Sequence, residues 1–245
     1  MNAAVSAPRT ARARIRAELT REIKDEARRQ IASEGASALS LRGVARELGM
    51  VSSALYRYFP SRDELLTALI VDAYDAIGQA AEDADRACPT ADELARWLAT
   101  GHAVRRWASE HPQEYALVYG SPVPGYRAPE ATIGPASRVT LVLVGIIADA
   151  YTNARPAPVP DSPALSAPLR AEAERLAELV MPGVPSHVVV RAIVAWTQLF
   201  GIVSFELFGH LVGVVEELDA LFDQALLLTA GLLGLGLVAP APAPG

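Results

Sequence analysis

A single cysteine, Cys88, is all that 245 residues offer toward covalent cross-linking. An intrachain disulfide framework is therefore excluded, a reducing compartment suits the chain, and Cys88 reads as a small packing residue rather than a nucleophile. Enzymatic machinery is also missing. No G-x-S-x-G turn, no Walker-type phosphate loop and no strand-linked glycine fingerprint occurs. The four histidines, His102, His111, His187 and His210, show neither an i, i+4 pair nor the acidic pattern of a zinc site. Catalysis, cofactors and metals are accordingly not expected. The N-terminal arginines are followed by no apolar run, so no secretory signal is expected. The longest apolar stretch free of proline and charge, 225–239, is 15 residues and broken by glycines, short of the ~20 that a membrane span needs. We expect no membrane partner and a cytoplasmic location. The single lysine beside 21 arginines reads as genome composition, not chemistry. Strand-like alternation and internal repeats are absent too, and the expected fold class is all-α.

What is present is concentrated in residues 40–66, SLRGVARELGMVSSALYRYFPSRDELL. Leu41, Val44, Ala45 and Leu48 recur at i, i+3, i+4 and i+7, one apolar face of a helix. Ser40 stands at the N-cap position, and Gly49 follows where a residue with positive φ would end the helix. After the Gly49-Met50-Val51 turn, Ser52 can cap a second helix carrying Ser53, Ala54, Tyr56, Arg57 and Tyr58. Leu55 and Phe59, four apart, should pin that helix to the first. Pro60 breaks it, and Ser61 with Glu64 has capping-box spacing for a third. A short helix held across another by such a turn suits the major groove of B-DNA.

The segment resembles the helix-turn-helix of TetR-type transcription regulators, most closely in Leu55-Tyr56-Arg57-Tyr58-Phe59-Pro60-Ser61-Arg62-Asp63-Glu64-Leu65-Leu66. Tyr58 stands where the family commonly has His and Arg62 where it has Lys; both keep a donor for phosphate. The resemblance implies sequence-specific binding of double-stranded DNA at a palindromic operator, repression by default, and release by a small-molecule effector. From the physics of groove contact, Ser40 and Arg42 suit a phosphate. Val51, Ser52, Ser53 and Arg57 suit the groove floor, with Arg57 the candidate for bidentate guanine contact. Tyr56, Tyr58 and Arg62 resemble the family's phosphate clamp, with core packing the rival for the two tyrosines.

Charge supports the same reading. The chain carries −6 overall, yet residues 1–62 hold 12 basic and 6 acidic side chains against 10 and 22 in the remainder. A cationic head on an anionic body orients the head toward DNA. Residues 1–17 read as a flexible basic arm whose Arg9, Arg12, Arg14 and Arg16 either follow phosphates or are simply solvated. The organisation expected is an arm (1–17), a DNA-binding head (18–62), a helical effector-binding and dimerisation domain (63–238) and a disordered tail (239–245).

In the body, punctuation by Pro and Gly predicts helices at about 90–109, 112–119, 130–151, 169–180, 186–211 and 214–237, with the first capped by Thr90 and Glu93. The last two are apolar nearly all the way round. A surface helix normally shows one apolar stripe, so a second copy of the chain is the expected cover, with burial inside the monomer as the rival. TetR-type proteins dimerise through their last long helices, which agrees. Trp196-x-x-x-Phe200-Gly201 is similar to the subgroup with a Trp-His-Gly motif, although Phe stands in place of His. The resemblance also implies an effector cavity, for which Trp97, His102, Trp107, Tyr115, Tyr119, Trp196 and Phe200 are candidates, with plain core packing the rival for each. A small-molecule sequestering protein that binds no operator is the alternative function.

Overall fold

The computed structural model describes residues 7–153, 156–157 and 163–236. The start of the expected arm, part of the Pro-rich 152–168 segment and the expected tail lie outside them. The described residues form ten α-helices, two 3-10 turns and no strand. The helices are α1 (Ala7–Glu34), α2 (Leu41–Glu47), α3 (Ser52–Leu55), α4 (Arg62–Arg86), α5 (Glu93–Glu110), α6 (Pro112–Tyr119), α7 (Ile133–Thr152), α8 (Ala167–Val180), α9 (Ser186–Leu207) and α10 (Leu218–Leu233).

The chain divides into two compact units: one within Met1–Ala73 together with Gln113–Ile133, the other Tyr74–Pro112 together with Gly134–Gly245. α4 runs through both, and α6 packs in the first. In the first unit Ile23, Ala27 and Ile31 form the buried stripe of α1, and Leu41, Val44 and Ala45 that of α2. Leu55 and Phe59 close over them, as their four-residue spacing predicts, and Leu65, Leu66 and Leu69 of α4 complete the core. Tyr115 anchors α6 and is fully buried.

Several boundaries differ from the sequence reading for identifiable reasons. α1 starts at Ala7, inside the stretch 1–17 expected to be a flexible arm. The Ala/Arg run there has high helix propensity, and Pro8 is tolerated in a first turn because that turn's N–H groups have no intrahelical acceptor. α3 is only one turn long; Tyr56–Tyr58 continue as a hydrogen-bonded turn, with Tyr58 N–H donating to the Leu55 carbonyl at 2.8 Å. Asp92, not Thr90, caps α5 by accepting from Ala95 N–H at 2.9 Å. The terminal helices are shorter than their apolar runs, because Gly209 and Gly213 sit at φ 76° and 75° and end helical winding between them.

The second unit is laced by charged residues inside apolar helices. Two segments, Glu130–Thr152 and Ser186–Leu207, are long and apolar enough by length and composition to cross a membrane. Their charges are tied to neighbouring helices. Arg138 of α7 reaches Glu82 at 2.7 Å and Asp75 at 2.9 Å on α4. Asp149 of α7 accepts from Arg96 at 2.7 Å, and Glu206 of α9 accepts from Arg105 at 2.7 Å. Arg191 of α9 donates to the Leu232 carbonyl of α10 at 3.2 Å. Such pairs belong to a helix-on-helix core, where buried charge survives only when partnered. α9 packs on α8, α5 and α10, burying Val188, Val189, Ala195, Leu199 and Val203.

Candidate nucleic-acid interface

The geometry of α2, the turn and α3 follows from a few local bonds. Ser40 has extended backbone, and its Oγ accepts from Gly43 N–H at 3.3 Å, which starts α2. Its own N–H donates to Gln30 Oε1 at 2.9 Å, tying the helix start to α1. Gly43 is where Gln30 crosses, since a Cβ there would lie 2.7 Å from Nε2. Gly49, at φ 65°, turns the chain in a conformation that L side chains rarely adopt, and Met50 N–H closes the helix end on the Ala45 carbonyl at 2.8 Å. α3 then leaves with Leu55 buried and Val51, Ser53, Tyr56 and Arg57 exposed. Ser52 and Tyr58 are half-buried, and Arg42 projects from the first turn of α2 into solvent.

The carbonyls of Ser52, Ala54 and Leu55 in α3 accept from N–H groups of the turn that follows, Tyr56 to Phe59. Beyond α3, the turn is met from α1: Arg16 Nη2 donates to the Arg57 carbonyl at 3.3 Å. The same guanidinium lies 5.0 Å from the centre of the Tyr58 ring, in cation–π range. α1 thereby reaches the far end of α3, a contact that a mobile arm would not make.

Arg62 is engaged within the protein. Its Nε donates to the Leu39 carbonyl at 3.1 Å, and Nη2 donates to the Ala36 and Ser37 carbonyls at 2.9 and 3.3 Å. These are the carbonyls of the 3-10 turn joining α1 to α2. A phosphate contact from this side chain would have to break that brace. The Ser40 hydroxyl, in contrast, accepts in the cap and keeps its proton for donation. In the same unit, Arg28 gathers α1, α4 and α6: it bonds Asp25 and Asp72 at 2.8 Å and lies 3.3 Å from Glu114, while Lys24 also reaches Asp72 at 2.8 Å. A small cavity beside it is lined by Ile31, Leu69, Gln113, Glu114 and Leu117.

The seven effector candidates fall in different places. Tyr115 and Tyr119 belong to the first unit, their rings 5.0 Å apart. The other five belong to the second. Trp97 is buried and donates from Nε1 to Thr229 Oγ1 at 3.3 Å. Trp107 stacks on His111 at 5.0 Å, and Phe200 is buried on α9. His102 Nε2 lies 3.1 Å from Asp223, with its ring against Phe222. Trp196 faces outward at 38% exposure.

Buried or paired ionisable groups mark the ties between helices more than any reactive centre. Hydrogen bonds that it donates to Asp85 and Asp149 hold the Arg96 guanidinium well above its ordinary range, and those to Glu206 and Asp219 raise that of Arg105. The Arg138 guanidinium draws the Glu82 carboxyl below the usual carboxylate range. Burial raises the Tyr151 phenol, whose hydroxyl donates to the Leu233 carbonyl at 3.3 Å. No group of three or more metal-ligating side chains occurs among the described residues. These arginines are not legible as ties in the sequence, where a charge on an apolar face only interrupts the helical period.

The comparisons with known proteins cover nearly the whole chain. A family described as "Bacterial regulatory proteins, tetR family" matches residues 23–69, and one described as "Tetracyclin repressor-like, C-terminal domain" matches residues 97–228. HTH-type transcriptional regulators of Mycobacterium tuberculosis and Mycobacterium bovis are 39% identical over 225 residues, spanning 89% of this chain and 93% of theirs. The crystal structure of the regulatory protein SCO4313 superposes with a TM-score of 0.74 at 35% identity, covering 89% of this chain and 98% of that one. PfmR, a TetR family regulator from Thermus thermophilus, superposes with a TM-score of 0.53 at 19% identity over 86% of this chain and 98% of its own, which shows the shared fold.

Proposed function

This chain belongs to the TetR family of helix-turn-helix transcriptional regulators, and from that membership we propose a specific division of labour: a two-fold dimer that holds two α3 helices against a palindromic operator and lets go when a small apolar effector binds. The observation that carries the reading is the exposed surface of α2 and α3, with Arg42, Val51, Ser53 and Arg57 outward on a rigid core of Leu41, Val44, Leu55 and Phe59. A guanidinium projecting from the turn that ends a short helix matches the two acceptors of guanine in the major groove. Val51, Ser52 and Ser53 are the remaining base-edge candidates; Ser40, Arg42, Tyr56 and Tyr58 are those for phosphate.

Dimerisation rests on the outer faces of α9 and α10. Val194, Gly201 and Phe205 of α9, with Phe208 at its C-cap, fall at helical spacing along one line that only Gln198 interrupts with a polar side chain, and Phe205 is 55% exposed. Leu227 and Leu228 of α10 are exposed as well. An apolar stripe of this length is costly in water, and a second copy would cover it. The operator would then be an inverted repeat with half-sites about one helical turn, or a multiple of it, apart.

Repression is the direction the family favours, acting in the cytoplasm where its DNA lies. Effector release would be a population shift toward a spacing of the two heads that no longer fits successive major grooves. Trp97, Trp107, Tyr115, Tyr119, Phe200, Trp196 and His102 remain the candidates for effector contact, and their aromatic character favours an apolar molecule. The test is selection of genomic fragments by the purified chain, followed by gel shift at moderate salt. Recovery of a shared inverted repeat supports the reading. Failure to retain any fragment supports a sequestering protein in its place.

A further inference from the structure

We propose that the first turns of α1 are part of the DNA-reading surface, with Arg16 as a positioning residue for Arg57 and Arg12 as a phosphate contact beside it; this rests on the operator-binding reading above. α3 is a single turn, Ser52–Leu55. Arg57 lies two residues beyond that helix, in a turn whose own hydrogen bonds stop at Arg57 N–H to the Ala54 carbonyl, 3.2 Å, and at Tyr58 and Phe59 N–H to Leu55. The outgoing Arg57 carbonyl is bonded by Arg16, and the next residue's ring carries the same guanidinium. Two contacts from one planar group thus fix the backbone from which the exposed Arg57 side chain departs.

Only a helical α1 can do this. Because the helix begins at Ala7, Arg16 is presented from a rigid rod whose inner face is anchored by Ile23, Ala27 and Ile31. Arg12 stands one turn earlier, on the same face as Arg16, about 6 Å along the axis. It is exposed and makes no ion pair with any described residue. Residues 1–17 contain four arginines and no acidic residue. A helix-borne cation just beyond the end of the reading element is placed to meet the sugar–phosphate backbone flanking the half-site. The helix holds it there at smaller entropic cost than a disordered arm would incur.

The experiment uses the full-length chain and the duplex that wild type selects, with a random duplex of the same length as control. Affinities are measured for Arg12→Gln, Arg16→Ala, Arg16→Lys, Arg57→Ala and the Arg16→Ala/Arg57→Ala double variant over a range of salt concentrations. Arg16→Ala is expected to lower the preference for selected over random duplex about tenfold, as loss of one good base contact would. The double variant should be no worse than Arg57→Ala alone, because both changes remove the same contact. Arg16→Lys, able to bond the carbonyl and sit over the ring, should restore part of the preference. Arg12→Gln should leave the preference intact and reduce the slope of log affinity against log salt by about 0.9 per protomer. Additive losses for Arg16 and Arg57, equal weakening on both duplexes accompanied by a fall in Tm, or an unaltered salt slope in Arg12→Gln would each overturn the proposal. If wild type retains no duplex, the operator-binding reading itself fails, a result seen before any variant is compared.

Discussion

Arg57 and Arg62 carry the same guanidinium into opposite settings. Arg57 is exposed in the turn after α3, the proposed reading element, where its fork points to solvent. Arg62 spends its donors on three carbonyls of the turn between α1 and α2. Replacing Arg57 by Ala is expected to cost about 1–3 kcal/mol of operator affinity and to relax sequence choice at one position, measured by titration against single-base operator variants. Arg62→Ala should act on folding instead: charge-assisted bonds to three carbonyls are lost, and stability should fall by about 1–3 kcal/mol. Thermal unfolding reads that loss. An unchanged Tm accompanied by a flatter salt dependence of DNA binding would identify Arg62 as a phosphate contact after all. Sequence places both residues in the motif; it does not say which way each side chain turns, since that depends on where the Ala36–Leu39 carbonyls end up.

At the scale of elements, glycines with close neighbours decide how the helices of the second unit cross. A Cβ at Gly101 of α5 would lie 2.5 Å from Leu226 of α10, a buried side chain with nowhere to retreat. Gly101→Ala gains about 1 kcal/mol of helix propensity but meets overpacking of about 1–3 kcal/mol, so net destabilisation is expected in a denaturant melt. Gly78 of α4 is approached by the base of Arg138 on α7, where a Cβ would meet Arg138 Cβ at 2.6 Å. That contact lets Arg138 lie flat along α4 and bond Asp75, Gln79 and Glu82 together. Glu82 is held below the ordinary carboxylate range chiefly by this hydrogen bond. A carboxyl whose folded pKa is depressed contributes its full stability above the ordinary range and loses it as pH falls through the lowered value. The wild type should therefore lose stability on acidification from near-neutral pH to below about 4 more steeply than Glu82→Gln, as followed by Tm against pH. The helices themselves were legible in the sequence: α2, α4, α6 and α8 lie close to where caps, prolines and periodicity put them. α3 was overestimated, because Tyr56–Tyr58 keep helical composition while Pro60 forces the chain out early. α9 and α10 were overestimated because apolar content masks the breaks at Gly209 and Gly213.

At the scale of the whole molecule, the exposed stripe on α9 and α10 is the feature with the widest consequence. Phe205 and Leu228 are exposed enough, at 55% and 66%, that a charge there should leave the single chain folded. In the proposed dimer the same charge would be buried without a partner, which disfavours association strongly. Phe205→Glu or Leu228→Arg is thus expected to give a monomer by sedimentation, with unchanged helicity. Binding to an inverted repeat should drop toward the level of a single half-site. A dimer that survives both substitutions would place the interface elsewhere. In the proposed complex, the −12 balance beyond residue 62 would act at this scale too, disfavouring approach of a phosphate backbone anywhere but at the basic first 62 residues.

Periodicity and caps are local properties, and they sufficed to settle the all-α class and the helix-turn-helix. Propensity wrote the extension of α1 into the Ala/Arg run as well, although its basic composition reads equally as a solvated arm. Tertiary structure alone decided which arginines face outward. Arg16, Arg62, Arg96, Arg105 and Arg138 turn to carbonyls or carboxylates brought close by packing, and Arg42 and Arg57 do not. The reason is that a guanidinium's partner lies 11 to 101 residues away in these five contacts. Only the closing of the core sets such distances.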